Sequence, residues 1–94
     1  MATFMICIEL PDATPNDYEI LNYKMEQSGF SRTISADGGK FYTLPTAQYM
    51  YSSKLQTTRA VRGQVALIAL EIKNNPAILV TKFSRSAWTG LKEV

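Results

Sequence analysis

The tripeptide Asp37-Gly38-Gly39 constrains this chain more than any other stretch. Aspartate and glycine tolerate the positive φ that tight hairpin turns demand, so two extended segments are expected to meet here. Upstream, Arg32, Ile34 and Ala36 alternate with Ser31, Thr33 and Ser35; downstream, Phe41 and Thr43 alternate with Tyr42 and Leu44. A period of two predicts strands with unlike faces. Just before the hairpin, Gly29 supplies the left-handed residue that ends a helix, and Phe30 falls where a Schellman motif takes an apolar contact. Ser28 to Tyr51 therefore reads as helix stop, strand, turn, strand and aromatic edge.

The flanking segments follow from this frame. In Thr3–Leu10, Phe4, Ile6, Ile8 and Leu10 alternate with Met5, Cys7 and Glu9, which predicts a strand inside a sheet, ended by Pro11. Thr14-Pro15-Asn16-Asp17 predicts a helix start, with Thr14 as N-cap, Pro15 first in the helix and Asp17 answering the cap and the dipole. That helix runs to about Ser28, with Tyr18, Leu21 and Met25 inward and Glu19, Asn22 and Glu26 facing away. Leu44-Pro45 interrupts or turns the second hairpin strand. Thr46–Tyr51 then continues as an edge segment, with Ala47, Tyr49 and Tyr51 on one side, or forms a structured loop. A second helix, capped by Thr57 or Thr58, runs to about Lys73 on Val61, Val65, Ile68 and Ile72, with Leu67 and Leu70 widening its apolar arc. Asn74-Asn75-Pro76 stops it. Ala77–Phe83 is a strand, and Ser84–Gly90 a turn after which Leu91 packs a tail or a short fifth strand back, with Trp88 as a core or interface anchor. The order is β-α-β-β-α-β: an α+β, ferredoxin-like sandwich forming a single domain over residues 1–94. Right-handed crossovers place both helices on one sheet face, leaving the other open to be solvated, dimerised or used.

Composition narrows the chemistry. With 46% hydrophobic and 19% charged residues the chain is globular. No apolar run approaches the roughly 18 residues of a membrane span. The opening MATFMICIEL has neither a basic n-region nor a small-residue cleavage site, so it reads as a strand rather than a signal peptide. A cytoplasmic location and no membrane partner are expected. The single cysteine, Cys7, excludes a disulfide within the chain and reads as a core thiol. The absence of histidine removes Ser-His-Asp, Cys-His and histidine-based ribonuclease chemistry. Glu9, Asp12 and Asp37 have no diagnostic metal spacing, so no metal or other cofactor is expected.

A net charge of +2 hides an uneven distribution. Through Asp37 the acids are Glu9, Asp12, Asp17, Glu19, Glu26 and Asp37, against Lys24 and Arg32. Gly38 to Leu70 contains no acid, while Lys40, Lys54, Arg59 and Arg62 are basic. The split predicts a basic and an acidic face, read either as a phosphate-backbone footprint or as ordinary solvated edges. Tyr42, Tyr49 and Tyr51 lie in sequence among Arg32, Lys40 and Lys54, a pattern that suits base stacking or, alternatively, a sheet edge or dimer contact. Arg59 and Arg62 open the second helix with the wrong sign for its dipole, a weak phosphate signal. The candidate nucleic-acid-binding set is therefore Arg32, Lys40, Tyr42, Tyr49, Lys54, Arg59 and Arg62, with no catalytic residue assigned.

Met25, the run Gly29-Phe30-Ser31-Arg32-Thr33-Ile34, the Asp37-Gly38 turn and Leu44-Pro45-Thr46-Ala47-Gln48-Tyr49 together resemble the GhoS-type antitoxin endoribonuclease family, more closely its uncharacterised bacterial and phage-borne relatives. These motifs cover about a quarter of the chain, and the order of elements agrees over most of it. The resemblance implies an RNA-directed protein that binds or cleaves single-stranded RNA without a metal. Arg32, Lys40 or Lys54 would then stabilise phosphorane charge and Asp37 or a tyrosine would handle the proton. The family is similar in fold to the ferredoxin-like nucleases of CRISPR adaptation. Where its characterised member has arginines in the first helix, this chain has Asn22, Tyr23 and Lys24, so no catalytic position carries over. The competing expectation is a non-catalytic homodimeric interaction module from a phage or mobile element, engaging a host protein.

Overall fold

The computed structural model describes residues 2–36, 38–54 and 56–94. In chain order the elements are β1 (Ala2–Glu9), α1 (Pro15–Gln27), β2 (Thr33–Ser35), β3 (Phe41–Thr43), β4 (Gln48–Ser53), α2 (Thr58–Leu70) and β5 (Ala77–Lys82). β1 is the middle strand of an antiparallel sheet ordered β4-β1-β5, and β2 and β3 form a separate two-stranded ribbon. An antiparallel bridge between Ser31 and Met50 fastens the lead-in of the ribbon to the outer edge of β4. The result is a small α+β domain in which two helices cover one face of an antiparallel sheet.

Register explains which face. Phe4, Ile6 and Ile8 of β1 lie opposite Tyr51 and Tyr49 of β4 and opposite Val80 and Ile78 of β5. These side chains form one cluster with Leu21 and Met25 of α1 and with Val61, Val65 and Ala69 of α2. Both helices therefore share a side, as the crossover rule predicts. The alternate β1 residues, Met5 and Cys7, point the other way.

Local signals in the sequence hold at the helix ends. Thr14 and Asp17 form a reciprocal capping box on α1, with Pro15 first in the helix. Gly29 has φ 90°. The amides of Gly29 and Phe30 bond the carbonyls of Glu26 and Met25, which is the Schellman pattern. Phe30 is buried and stacks on Tyr51 with ring centroids 4.3 Å apart. The hairpin also forms, pairing Thr33 with Thr43 and Ser35 with Phe41, with Gly38 and Gly39 at positive φ; Asp37 lies outside the described residues.

Several expectations require correction. Phe41–Thr43 pairs with β2 but does not join the main sheet. That place is taken by Gln48–Ser53, the segment whose state was open, after a turn at Pro45–Ala47. The C-terminal tail makes a single bridge, Tyr42 to Glu93, rather than a fifth strand. Leu67 and Leu70 are exposed on α2, whose inward arc is completed by Ala69 instead. Asn22 does not face away, because it accepts a hydrogen bond from the buried Tyr49 hydroxyl. Cys7 is half-buried on the face away from the helices, so it is not a core thiol. That face is also partly covered. Ile34 and Leu44 of the ribbon region are buried and line one cleft with Met5, Trp88 and Leu91. The tail thus straps the face from the end of β5 to β3, where Thr43 and Val94 donate to the carbonyls of Lys92 and Phe41.

Candidate nucleic-acid interface

The seven candidate residues separate into three places. Arg32 follows the last residue of the ribbon that pairs with β4. Its guanidinium donates to the Pro45 carbonyl at 2.7 Å and the Gln48 carbonyl at 3.0 Å. It also lies over the Tyr49 ring, 5.6 Å from the centroid. Between the two carbonyls sits Ala47, buried at φ 61°, a strained conformation for a residue with a Cβ. Arg32 therefore clamps a tight turn and closes the edge of β4 where the ribbon has already diverged. Tyr49 is fully buried. Burial pushes its hydroxyl up to about 12, against a smaller downward pull from Arg32. Its ring offers no face to a base, and its hydroxyl stays protonated at neutral pH.

Lys40 and Tyr42 belong to the ribbon and its strap. Lys40 is exposed and lies 4.0 Å from the Glu93 carboxylate. Tyr42 is half-buried against Trp88, with ring centroids 5.6 Å apart and planes at 56°. The tail thus occupies one side of this aromatic pair.

Lys54, Arg59 and Arg62 fall together. Ser53 pairs with Ala2 at the start of β1, so Lys54 and the first turns of α2 lie at that end of the sheet. Thr57 caps α2 through a bond from the Ala60 amide, but the first turn holds no acid. β5 finishes at the same end, because Lys82 pairs with Phe4 and the Phe83 amide donates to the Thr3 carbonyl. Lys82 and, three residues on, Arg85 join the group. All five cations are exposed, and among the described residues none makes an ion pair. Arg85 lines an open cleft of about 510 Å³ with Ser35, Ser84, Ser86 and Trp88. Serine hydroxyls and a guanidinium are donors suited to phosphate oxygens.

The opposite end is acidic, and two of its acids are ion-paired. Glu9, Asp12, Asp17 and Glu19 gather where β1 ends and α1 begins, and Glu71 follows α2. Lys73 lies 3.7 Å from Asp17, and Lys24 lies 3.2 Å from Glu71. The Thr14 amide holds the Asp17 carboxyl below its usual range, outweighing an upward effect of desolvation, with help from the Thr14 hydroxyl and Lys73. The uneven charge along the chain thus resolves into two ends of the sheet rather than two faces. Glu26, in the last turn of α1, lines a cleft with Arg32.

Sequence reading missed Lys82 and Arg85 because they follow the last strand, far along the chain from Lys54. Their signal was the antiparallel register of β5 on β1, which returns the chain to where β1 began. Among the described residues no group of three metal-ligating side chains occurs, and no helix is long and apolar enough to cross a membrane. No family model matches the chain, and no curated protein matches it significantly.

Proposed function

We propose that this protein binds the phosphodiester backbone of single-stranded RNA at the end of the sheet formed by Lys54, Arg59, Arg62, Lys82 and Arg85. The observation that carries the reading is that these five exposed cations come from three separate elements to one end and have no anionic partner among the described residues. Like charges gathered without counter-charge repel one another, and a polyanion relieves that repulsion while releasing its own counterions. The N-terminus of α2 adds its positive dipole end. The hydroxyl-lined cleft with Trp88 along one wall provides donors for ribose and phosphate beside the charges.

The reading is one of binding. Of the groups named for cleavage, Arg32 is committed to two carbonyls and Tyr49 is a buried hydrogen-bond donor. The resemblance to GhoS-type antitoxin endoribonucleases points in the same direction as the charges, toward RNA. The accompanying fold reading is ferredoxin-like. The series β5-β1-β4, continued through the Ser31 bridge, supports it, with β3 and the C-terminal strap as additions.

Anisotropy of a labelled mixed-sequence single-stranded RNA over a salt series tests this. Binding should weaken with salt, with a log–log slope near −3.5 if all five cations contact phosphates at about 0.7 each. Replacing the five by alanine should abolish that dependence. A wild-type protein with no salt-dependent RNA binding would end the proposal.

A further inference from the structure

We propose that β5 is a dimerisation edge, pairing antiparallel with β5 of a second copy about Val80. The inference stands on strand geometry and does not rest on RNA binding. The Phe83 amide bonds the Thr3 carbonyl, so the odd-numbered residues of β5 face β1. In an antiparallel ladder hydrogen-bonded and non-bonded pairs alternate. Ile78, Val80 and Lys82 therefore turn their N–H and C=O groups outward, and among the described residues no strand lies beyond them.

The two edges of the sheet differ. On β4, Met50 is paired by Ser31 and the Gln48 carbonyl is met by Arg32. On β5, the stretch from Ala77 to Thr81 has no proline, no bulge and no charge, with Pro76 before it and Lys82 at its end. An unpaired edge of this kind calls for a strand.

A second copy fits because the edge is self-complementary. Antiparallel pairing about Val80 sets Val80 against the partner's Val80, and Ile78 against the partner's Lys82. Three reciprocal pairs result, each exchanging two backbone hydrogen bonds. On the face away from the helices, Leu79 (62% exposed) meets the partner's Thr81, and Ala77 meets the partner's Phe83. No like charges stand opposite one another. The partner's Lys82 approaches the end of β5 that lies under the C-terminus of α2, whose last turn contains no basic residue.

Sedimentation of the full chain across a concentration series, with two double variants, tests the register. Leu79 and Thr81 are both exposed, so substitutions there leave the monomer folded, which circular dichroism checks. Leu79→Glu with Thr81→Glu sets like charges opposite each other at two symmetric places and should raise the dimer Kd about tenfold. Leu79→Glu with Thr81→Lys sets opposite charges there and should return the Kd to within about threefold of wild type. A wild-type chain that stays monomeric throughout overturns the proposal. So does equal weakening by the two variants, because only this register distinguishes them.

Discussion

The two ends of the sheet contain similar kinds of side chain and treat them oppositely. Where β1 ends, the cations are engaged: Lys73 meets Asp17, which also completes a helix cap, Lys24 meets Glu71, and Arg32 meets two carbonyls. Where β1 begins, α2 starts without an acid, and Lys54, Arg59, Arg62, Lys82 and Arg85 have no ion-pair partner among the described residues. An arginine at one end is structure; an arginine at the other is available for a ligand. Residue type and neighbouring sequence do not distinguish the two. Satisfaction of hydrogen bonds does.

The sharpest way to break this contrast is to remove cations at each end in turn. Alanine at the five basic-end positions should lower affinity for single-stranded RNA at 50 mM salt by about 100-fold, the same loss that a slope near −3.5 gives wild type between 50 and 200 mM. Thermal stability should be unchanged or slightly raised, since repulsion is relieved. Arg32→Ala should do the reverse. It leaves two carbonyls and a strained turn without their donor and should cost about 2 kcal/mol in urea unfolding, while the salt slope of RNA binding stays put. Equal stability loss at both ends would erase the distinction.

A smaller effect is expected at the helix starts. Thr14→Ala removes a cap and should cost about 1 kcal/mol. Its pH dependence has a definite sign. Asp17 has a lowered pKa in the fold, so its contribution is complete above the ordinary carboxylate range and fades as pH falls through the depressed value. Thr14→Ala keeps the amide that holds the Asp17 carboxylate, so the acid limb of the stability profile should flatten in Asp17→Asn instead. No acid stands in the first turn of α2, so Thr57→Ala should lower stability without that change in the acid limb.

The finest test is spectroscopic. One of the five tyrosines, Tyr49, should ionise last, near pH 12, in an ultraviolet titration. Its raised pKa means that the fold favours the neutral phenol. Stability from this residue is therefore present below about pH 10 and declines as pH rises toward 12. Tyr49→Phe should remove that late step from the titration. A Tyr49 that titrates with the exposed phenols would contradict its burial beneath the helices.

Much of the fold was legible along the chain because it depends on bonds between near neighbours. Thr14, Pro15 and Asp17 announce a helix start, Gly29 and Phe30 its end, and Gly38-Gly39 the hairpin. The candidate site was less legible. Tyr49 and Arg32 looked like an aromatic and a cation at a surface edge, yet one is core and the other a clamp. Nothing near either residue in the sequence reveals this, since Arg32 bonds carbonyls 13 and 16 residues away. The strand that completes the sheet was obscured for the same reason. Phe41–Thr43 and Gln48–Ser53 both read as extended, and only the Ser31 bridge and the position of Arg32 decide which one lies beside β1.

From sequence alone came six of the seven elements, the main inward residues of each helix and the imbalance of charge. These rest on backbone preference and on the periods of 2 and 3.6 residues, which are properties of short segments. Which cations are bound and which are free, which edge is closed and which is open, and that charge divides by end rather than by face were decided by tertiary structure. Each depends on a partner brought close by strand register, and register is settled only when the whole apolar face of β1 finds both helices at once.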